Sequence, residues 1–298
     1  MPHVRLIFNP IASRTDTRVV GRVVDEFLRE GWDVDITGTT RDGHASELAR
    51  QGVVEGADLI AVYGGDGTTT QAMEGVVGSS TPVALIPGGT GNLLAGNLRI
   101  PRNPRAAARA AIRGVPRFID LGRMKCNGGE RYFAVGAGTG IDADIMAKTT
   151  TRAKRKWGMG AYVARGLELL GAPNAVPHRI TIDGETFETD ALMVLAANCG
   201  EIIPPIVRLK WGISFDDGLF DVLVINAGTF VETMDAAWRM ITGLGHGGKR
   251  VAFFSGKSVA VETETPRPVQ LDGELCGETP FSAEIVPGAI KIVVPKGR

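Results

Sequence analysis

Two strand–glycine–helix junctions follow closely on one another, "AVYGGDGTTTQAMEG" and "ALIPGGTGNLL". In each, a short apolar run reads as a buried strand, the glycines as a tight turn, and the residues beyond as the start of a helix. Such junctions open βαβ units, and two in succession require a parallel sheet with helices packed on its faces. Both loops then lie at the carboxyl ends of their strands, where open α/β sheets bind ligands. A helix N-terminus offers unpaired N–H groups and a dipole that favour an anion, and glycine lets the backbone approach a phosphate closely. Either loop alone reads equally well as a plain turn; the pair at one sheet edge favours phosphate. Neither matches GxGxxG followed by an acid on the next strand, nor the P-loop GxxxxGK[ST].

The same alternation runs from Met1 to about Gly122. "VRLIF", "WDVDIT", "DLIAVY" and "PVALIP" read as strands, and Val19, Val20, Val23, Val24, Phe27 and Leu28 mark one face of the first helix, which Thr15 or Asp16 can cap. Beyond that point the pattern changes to strand-like runs such as "HRITIDGETFETD", "ALMVLAANCG", "LFDVLVINAG" and "PVQLDGELCG", with Asp183-Gly184 and Asp272-Gly273 as hairpin turns. Two helix-like segments interrupt them, "TRAKRKWGMGAYVARGLELLG" and "FVETMDAAWRMITGLG". The expectation is an α/β domain over 1–122 and a mainly antiparallel β domain over 123–298, packed around a cleft.

A chain of 298 residues is long enough for two such domains. With 33 basic and 33 acidic residues it has no basic excess, which argues against a nucleic-acid partner. Cys126, Cys199 and Cys276 are odd in number and widely spaced, and read as reduced thiols of a cytoplasmic protein. The four histidines show no metal-ligand spacing. The N-terminal apolar run is too short for a signal peptide, and no apolar stretch approaches a membrane span.

Asp66 is the acid inside the first glycine loop. A carboxylate beside bound phosphates repels them unless a cation stands between, and magnesium prefers hard oxygen ligands and phosphate. Asp66 as a helix cap is the alternative.

At these residues the sequence resembles the diacylglycerol kinase catalytic-domain family, which includes bacterial soluble lipid kinases and the sphingosine and ceramide kinases. "GGDGT" alone is shared with NAD kinases and phosphofructokinases, whereas "PGGTGN" followed by "LLAGNLRIP" is similar to the lipid kinases in particular. The resemblance covers nearly the whole chain and includes "NP" after the first strand, "DDGLFDV" and "LDGE". It implies a Rossmann-like three-layer α/β domain followed by a β-sandwich, and an ATP- and Mg²⁺-dependent kinase acting on a lipid hydroxyl, with diacylglycerol as acceptor. By the same resemblance Asn9, Thr39, the loop Gly64, Gly65, Asp66, Gly67, Thr68, Thr69 and Thr70, and Gly88, Gly89 and Thr90 would line the ATP site. Asp66 would serve the catalytic magnesium and Glu274 would be the general base. Ser214 and Leu219, through carbonyls, with the Asp217 carboxylate would hold a structural magnesium. The chain departs from the family pattern at Thr70-Gln71, often Asn-Glu, and at Leu93, often Asp.

Other readings stand beside these. Glu274 follows a good type I′ turn and also reads as a solvated strand residue; as a base it calls for burial or neighbouring carboxylates. "SFDDGLFDV" also reads as a turn alone. Arg152, Lys154, Arg155, Lys156 and Arg165 beside Trp157 and Tyr162 suit an anionic membrane surface, or an ordinary solvated helix. The expected partner is a lipid at a membrane surface, with peripheral attachment, and "RITIDGETFETD" can serve as an edge hairpin for a homodimer. A kinase for another lipid alcohol, or a nucleotide or lipid sensor that kept the fold, are the alternatives.

Overall fold

The structure, a computed structural model, describes residues 1–12, 17–140, 143, 174–203, 207–209, 213–242 and 250–296. The first elements are β1 (His3–Phe8), α1 (Thr17–Arg29), β2 (Asp33–Gly38), α2 (His44–Val54), β3 (Leu59–Gly64), α3 (Asp66–Val76), β4 (Val83–Pro87), α4 (Leu93–Asn97) and α5 (Pro104–Arg113). There follow β5 (Val115–Cys126), β6 (Gly129–Phe133), β7 (Gly136–Gly140), β8 (Val176–Ile182), β9 (Glu185–Ala191), β10 (Met193–Ala197), β11 (Glu201–Ile203), β12 (Val207–Arg208) and β13 (Phe220–Ile225). The last are α6 (Phe230–Thr242), β14 (Val251–Gly256), β15 (Ser258–Thr263), β16 (Pro268–Leu271), β17 (Glu274–Glu278) and β18 (Phe281–Val294).

The chain divides into two compact units, one formed by Met1–Asp120 with Gly288–Arg298 and the other by Leu121–Pro287. The sequence reading put 288–298 in the second domain. They lie in the first because the end of β18 runs parallel to β4, with Ile292 opposite Val83. An apolar terminal strand, "IKIVV", carries no local mark of which sheet it completes.

In the first unit the parallel strands lie in the order β2-β1-β3-β4. Every residue of β3 and β4 is buried, as expected of a strand covered on both faces. The chain moves one way from β1 to β2 and the other way from β2 to β3 and β4. Right-handed crossovers therefore put α1 on one face and α2 and α3 on the other. The packing agrees, with α1 against α5 and α2 against α3. Val20, Val23 and Phe27 of α1 are buried, whereas Leu28, expected on the same face, is exposed. The order reverses between β1 and β3, and an open sheet of this kind leaves its ligand crevice there, at the carboxyl ends.

The second unit holds an antiparallel sheet in the order β14-β13-β10-β7-β16-β17, and strands β15, β8 and β9 beside the first part of β18. Phe133, Val194, Phe220, Val222, Val259, Val261, Leu271 and Phe281, drawn from both sheets, form one core, with Phe133 and Phe220 stacked at 5.5 Å. Alternation along β10 sends Val194 and Ala196 to that core, and Met193, Leu195 and Ala197 to the opposite face with Ala236 of α6. The Asp183-Gly184 and Asp272-Gly273 turns have φ values of 49° and 89°, and 47° and 86°, as type I′ hairpins require.

Candidate functional site

The ends of β1 and β3 are tied together across the reversal point. Asn9 N–H donates to the Tyr63 carbonyl at 3.0 Å, and Asn9 Nδ2 donates to Thr68 Oγ1 at 2.9 Å. Thr39 N–H donates to the Phe8 carbonyl at 2.8 Å, which sets the end of β2 beside β1. Asn9 and Thr39 thus stand at the same sheet edge as both glycine loops.

The two loops are locked against each other. Gly88 N–H donates to the Gly64 carbonyl at 2.7 Å. A Cβ built on Gly89 would lie 2.6 Å from Gly65 Cα, so only glycine allows this backbone-to-backbone approach. Asn92, held in the left-handed region at φ 51°, closes the second loop on itself: its Oδ1 accepts from Gly89 N–H at 2.9 Å and its Nδ2 donates to the Gly89 carbonyl at 2.7 Å.

Asp66 is the clasp. Its Oδ2 accepts from Asn92 N–H at 2.7 Å and its Oδ1 from Leu93 N–H at 2.6 Å. The sequence reading offered Asp66 as a cap of its own helix. The residue before α3 is Gly65, with no side-chain cap, and the helix Asp66 caps is α4, twenty-six residues away at its nearest hydrogen-bond partner. Asp66 is a hard oxygen donor of the kind a hydrated cation takes. That donor set, carboxylate with nearby threonine hydroxyls, suits magnesium.

Thr68, Thr69 and Thr70 are buried, Gly65 and Gly67 are half-buried, and Thr90 is exposed. At the departures from the family pattern, Gln71 Nε2 donates to Asp42 Oδ1 at 2.5 Å and its Oε1 accepts from Gly43 N–H at 3.0 Å. Gln71 therefore holds the loop that follows β2. Leu93 contributes its backbone N–H to Asp66, a contact that does not depend on the leucine side chain.

In the second unit, Glu274 opens β17 directly after the Asp272-Gly273 turn, opposite Leu271. Asp272 is buried and accepts three backbone hydrogen bonds, from Ala134 at 2.9 Å, Val135 at 2.8 Å and Gly136 at 3.0 Å. Its own N–H donates to the Gly136 carbonyl at 2.9 Å, and Gly273 N–H donates to Gln270 Oε1 at 3.0 Å. The turn is thus fixed to the β6–β7 connection. Glu274 itself is exposed, so the burial that the sequence reading asked of a base is not built around it. Behind the turn, burial pushes the Cys199 thiol up, and the Asp272 and Glu201 carboxylates add to that. Cys199 is an inert core thiol.

Ser214, Asp217 and Leu219 lie in one bend. Leu219 N–H donates to Asp217 Oδ1 at 3.1 Å, Gly218 has φ 74°, and Ser214 Oγ donates to Asp216 Oδ1. Among the described residues no three His, Cys, Asp or Glu side chains gather as metal ligands. A cation here would rest on one carboxylate and main-chain carbonyls. The basic stretch from Arg152 to Arg165 lies outside the described residues.

Asn92, Gln71 and Asp272 were missed as site residues in the sequence. Their signals were present but local: an Asn closing "GGTGN", a Gln in the first turns of α3, and the Asp of a hairpin turn.

Comparison with known proteins matches the two halves of the chain separately. The family model described as diacylglycerol kinase catalytic domain covers residues 3–124, and that described as YegS C-terminal NAD kinase beta sandwich-like domain covers residues 135–294. The chain belongs to the diacylglycerol kinase/YegS family of lipid kinases. It shares 27% identity with a diacylglycerol kinase of Bacillus subtilis, over 99% of this chain and 97% of the relative. It shares 31% identity with a Chromohalobacter salexigens protein named "Probable lipid kinase YegS-like", over 93% and 88%. A solved Bacillus anthracis structure superposes with TM-score 0.81 at 25% identity, covering 99% of this chain and 97% of that one. Family membership makes the chain a phosphotransferase with an alcohol acceptor, and it agrees with the α/β and antiparallel β architecture seen here. Among the described residues no helix is long and apolar enough to cross a membrane.

Proposed function

We propose that this lipid kinase transfers the γ-phosphate of ATP, with magnesium, to the free hydroxyl of diacylglycerol, giving phosphatidic acid. The observation that carries the reading is the clasp at the β1/β3 reversal point, where Asp66 and Asn92 hold two glycine loops back to back. Asp66 and the backbone around Gly65, Gly67 and Gly89 would face the phosphates, with Asn9 and Thr39 at the rim. Magnesium, when bound through Asp66 and its waters, would neutralise charge on the β- and γ-phosphates. The acceptor oxygen attacks γ-phosphorus, its proton passes to the Glu274 carboxylate, and the bond to the ADP oxygen breaks. Phosphoryl transfer needs little covalent help, so positioning and charge neutralisation supply most of the rate.

Labelled ATP offered with a mixed lipid extract and with NAD, followed by mass spectrometry of the labelled product, tests this. Label in phosphatidic acid supports the proposal. Label in a sphingoid product reassigns the acceptor, and label in no lipid leaves a binding protein that kept the fold.

A further inference from the structure

For a surface helix, α6 is unusual in the bulky apolar side chains it turns outward among its described residues. Such helices turn bulky apolar residues inward and polar ones outward. Among the described side chains of α6, Thr233 and Ala236 are the buried ones. Four bulky residues face out: Phe230 is 51% exposed, Val231 73%, Met234 43% and Trp238 64%. Spacings of three and four place them in one stripe along the helix. Beside it, Asp235 Oδ2 pairs with Arg239 Nε at 2.8 Å and with an Arg250 guanidinium nitrogen at 2.9 Å, and Glu232 lies 3.7 Å from Arg250. The two carboxylates and two guanidiniums sum to zero, so the flank neither attracts nor repels an anionic surface.

We infer that the outward stripe Phe230, Val231, Met234 and Trp238 of α6 is a membrane-docking face that inserts into the outermost layer of a lipid bilayer. This deepens the proposed function and rests on it, since a diacylglycerol acceptor resides in a bilayer. Three observations favour a bilayer over a protein. The four side chains offer roughly 400–500 Å² of apolar surface, about half of the ~800 Å² that each partner gives a standard protein interface. Tryptophan at the end of the stripe matches the headgroup level, where its apolar ring and N–H are both accommodated. The neutral ion-paired flank fits a helix lying in the interfacial plane, held by apolar insertion rather than by charge.

The test is co-sedimentation with vesicles of phosphatidylcholine alone, which removes attraction by basic residues elsewhere. The triple variant Val231→Ser, Met234→Ser, Trp238→Ser is expected to partition about tenfold or more weakly than the parent. Trp238→Phe alone should keep most of the binding. Equal thermal midpoints of parent and variants show that the fold is kept. The triple variant should also lose activity on vesicle-embedded dioleoylglycerol to a similar degree, while phosphorylating dissolved dihexanoylglycerol at the parent rate. Equal partition of parent and triple variant overturns the inference. So does a concentration-dependent dimer, seen by light scattering, that the triple variant abolishes, because the stripe then belongs to a second copy. If the parent phosphorylates neither acceptor, the diacylglycerol reading fails, and the partition measurement still decides the stripe.

Discussion

Asp66 accepts hydrogen bonds at both carboxylate oxygens from the second glycine loop, so its charge organises the site before any ligand arrives. Charge-assisted bonds of this kind contribute about 1.5–3 kcal/mol each. Asp66→Ala is therefore expected to lower stability by about 2–4 kcal/mol in urea unfolding and to abolish turnover. Asp66→Asn keeps the shape but loses the charge and sets an NH2 donor against one of the two N–H groups, so it should recover only part of the stability while turnover still collapses. Equal turnover in Asp66→Asn would remove the proposed magnesium role and leave only the clasp. Gly89→Ala forces the loops apart against Gly65 Cα and should raise KM for ATP sharply, measured against an unchanged fold by circular dichroism. The glycines and the acid were legible in the sequence because the residue types are dictated by close approach and by charge. Which N–H groups Asp66 would meet was not legible, because its partners lie a whole strand and helix further along the chain. The role of Gln71 was hidden for the same reason, since its partners Asp42 and Gly43 belong to the loop after another strand.

Among the elements, the β16–β17 hairpin shows how a turn becomes a positioning device. Its Asp-Gly sequence predicted the type I′ geometry directly. The three N–H groups that converge on Asp272 come from residues 134–136 and left no local trace. Asp272→Ala orphans them in a buried site and should destabilise the protein by about 3 kcal/mol or more, with kcat falling further than the rise in KM because Glu274 loses its mount. Strand β8 carries a different liability. His178 is buried, and desolvation holds its pKa below the ordinary histidine value, although the Val176 carbonyl works against that. The unfolded chain therefore binds a proton at His178 more readily than the folded one. Stability from this group is complete above the unfolded value of about 6.5 and falls as pH drops below it, by at most about 1.4 kcal/mol per pH unit. Urea unfolding between pH 7.5 and 5 should show the decline, and His178→Gln should flatten it. An unchanged slope in that variant would place the titration elsewhere.

For the whole molecule, the alternation of strands and helices followed by hairpin-spaced strands was enough to read the two-part architecture, because each pattern has its own period. The destination of the last strand was not, since a sheet neighbour is chosen by tertiary packing and an apolar β-branched run suits either sheet. The same limit governs the chemistry: the phosphate loops lie in one unit and Glu274 in the other, and no periodicity relates them. The most direct measurement is transfer of label from γ-labelled ATP to dioleoylglycerol, with magnesium, by the parent and by Glu274→Gln at equal, independently measured ATP occupancy. The account predicts labelled phosphatidic acid from the parent and none above background from the variant. Undiminished transfer by Glu274→Gln, or no transfer by the parent, would contradict it.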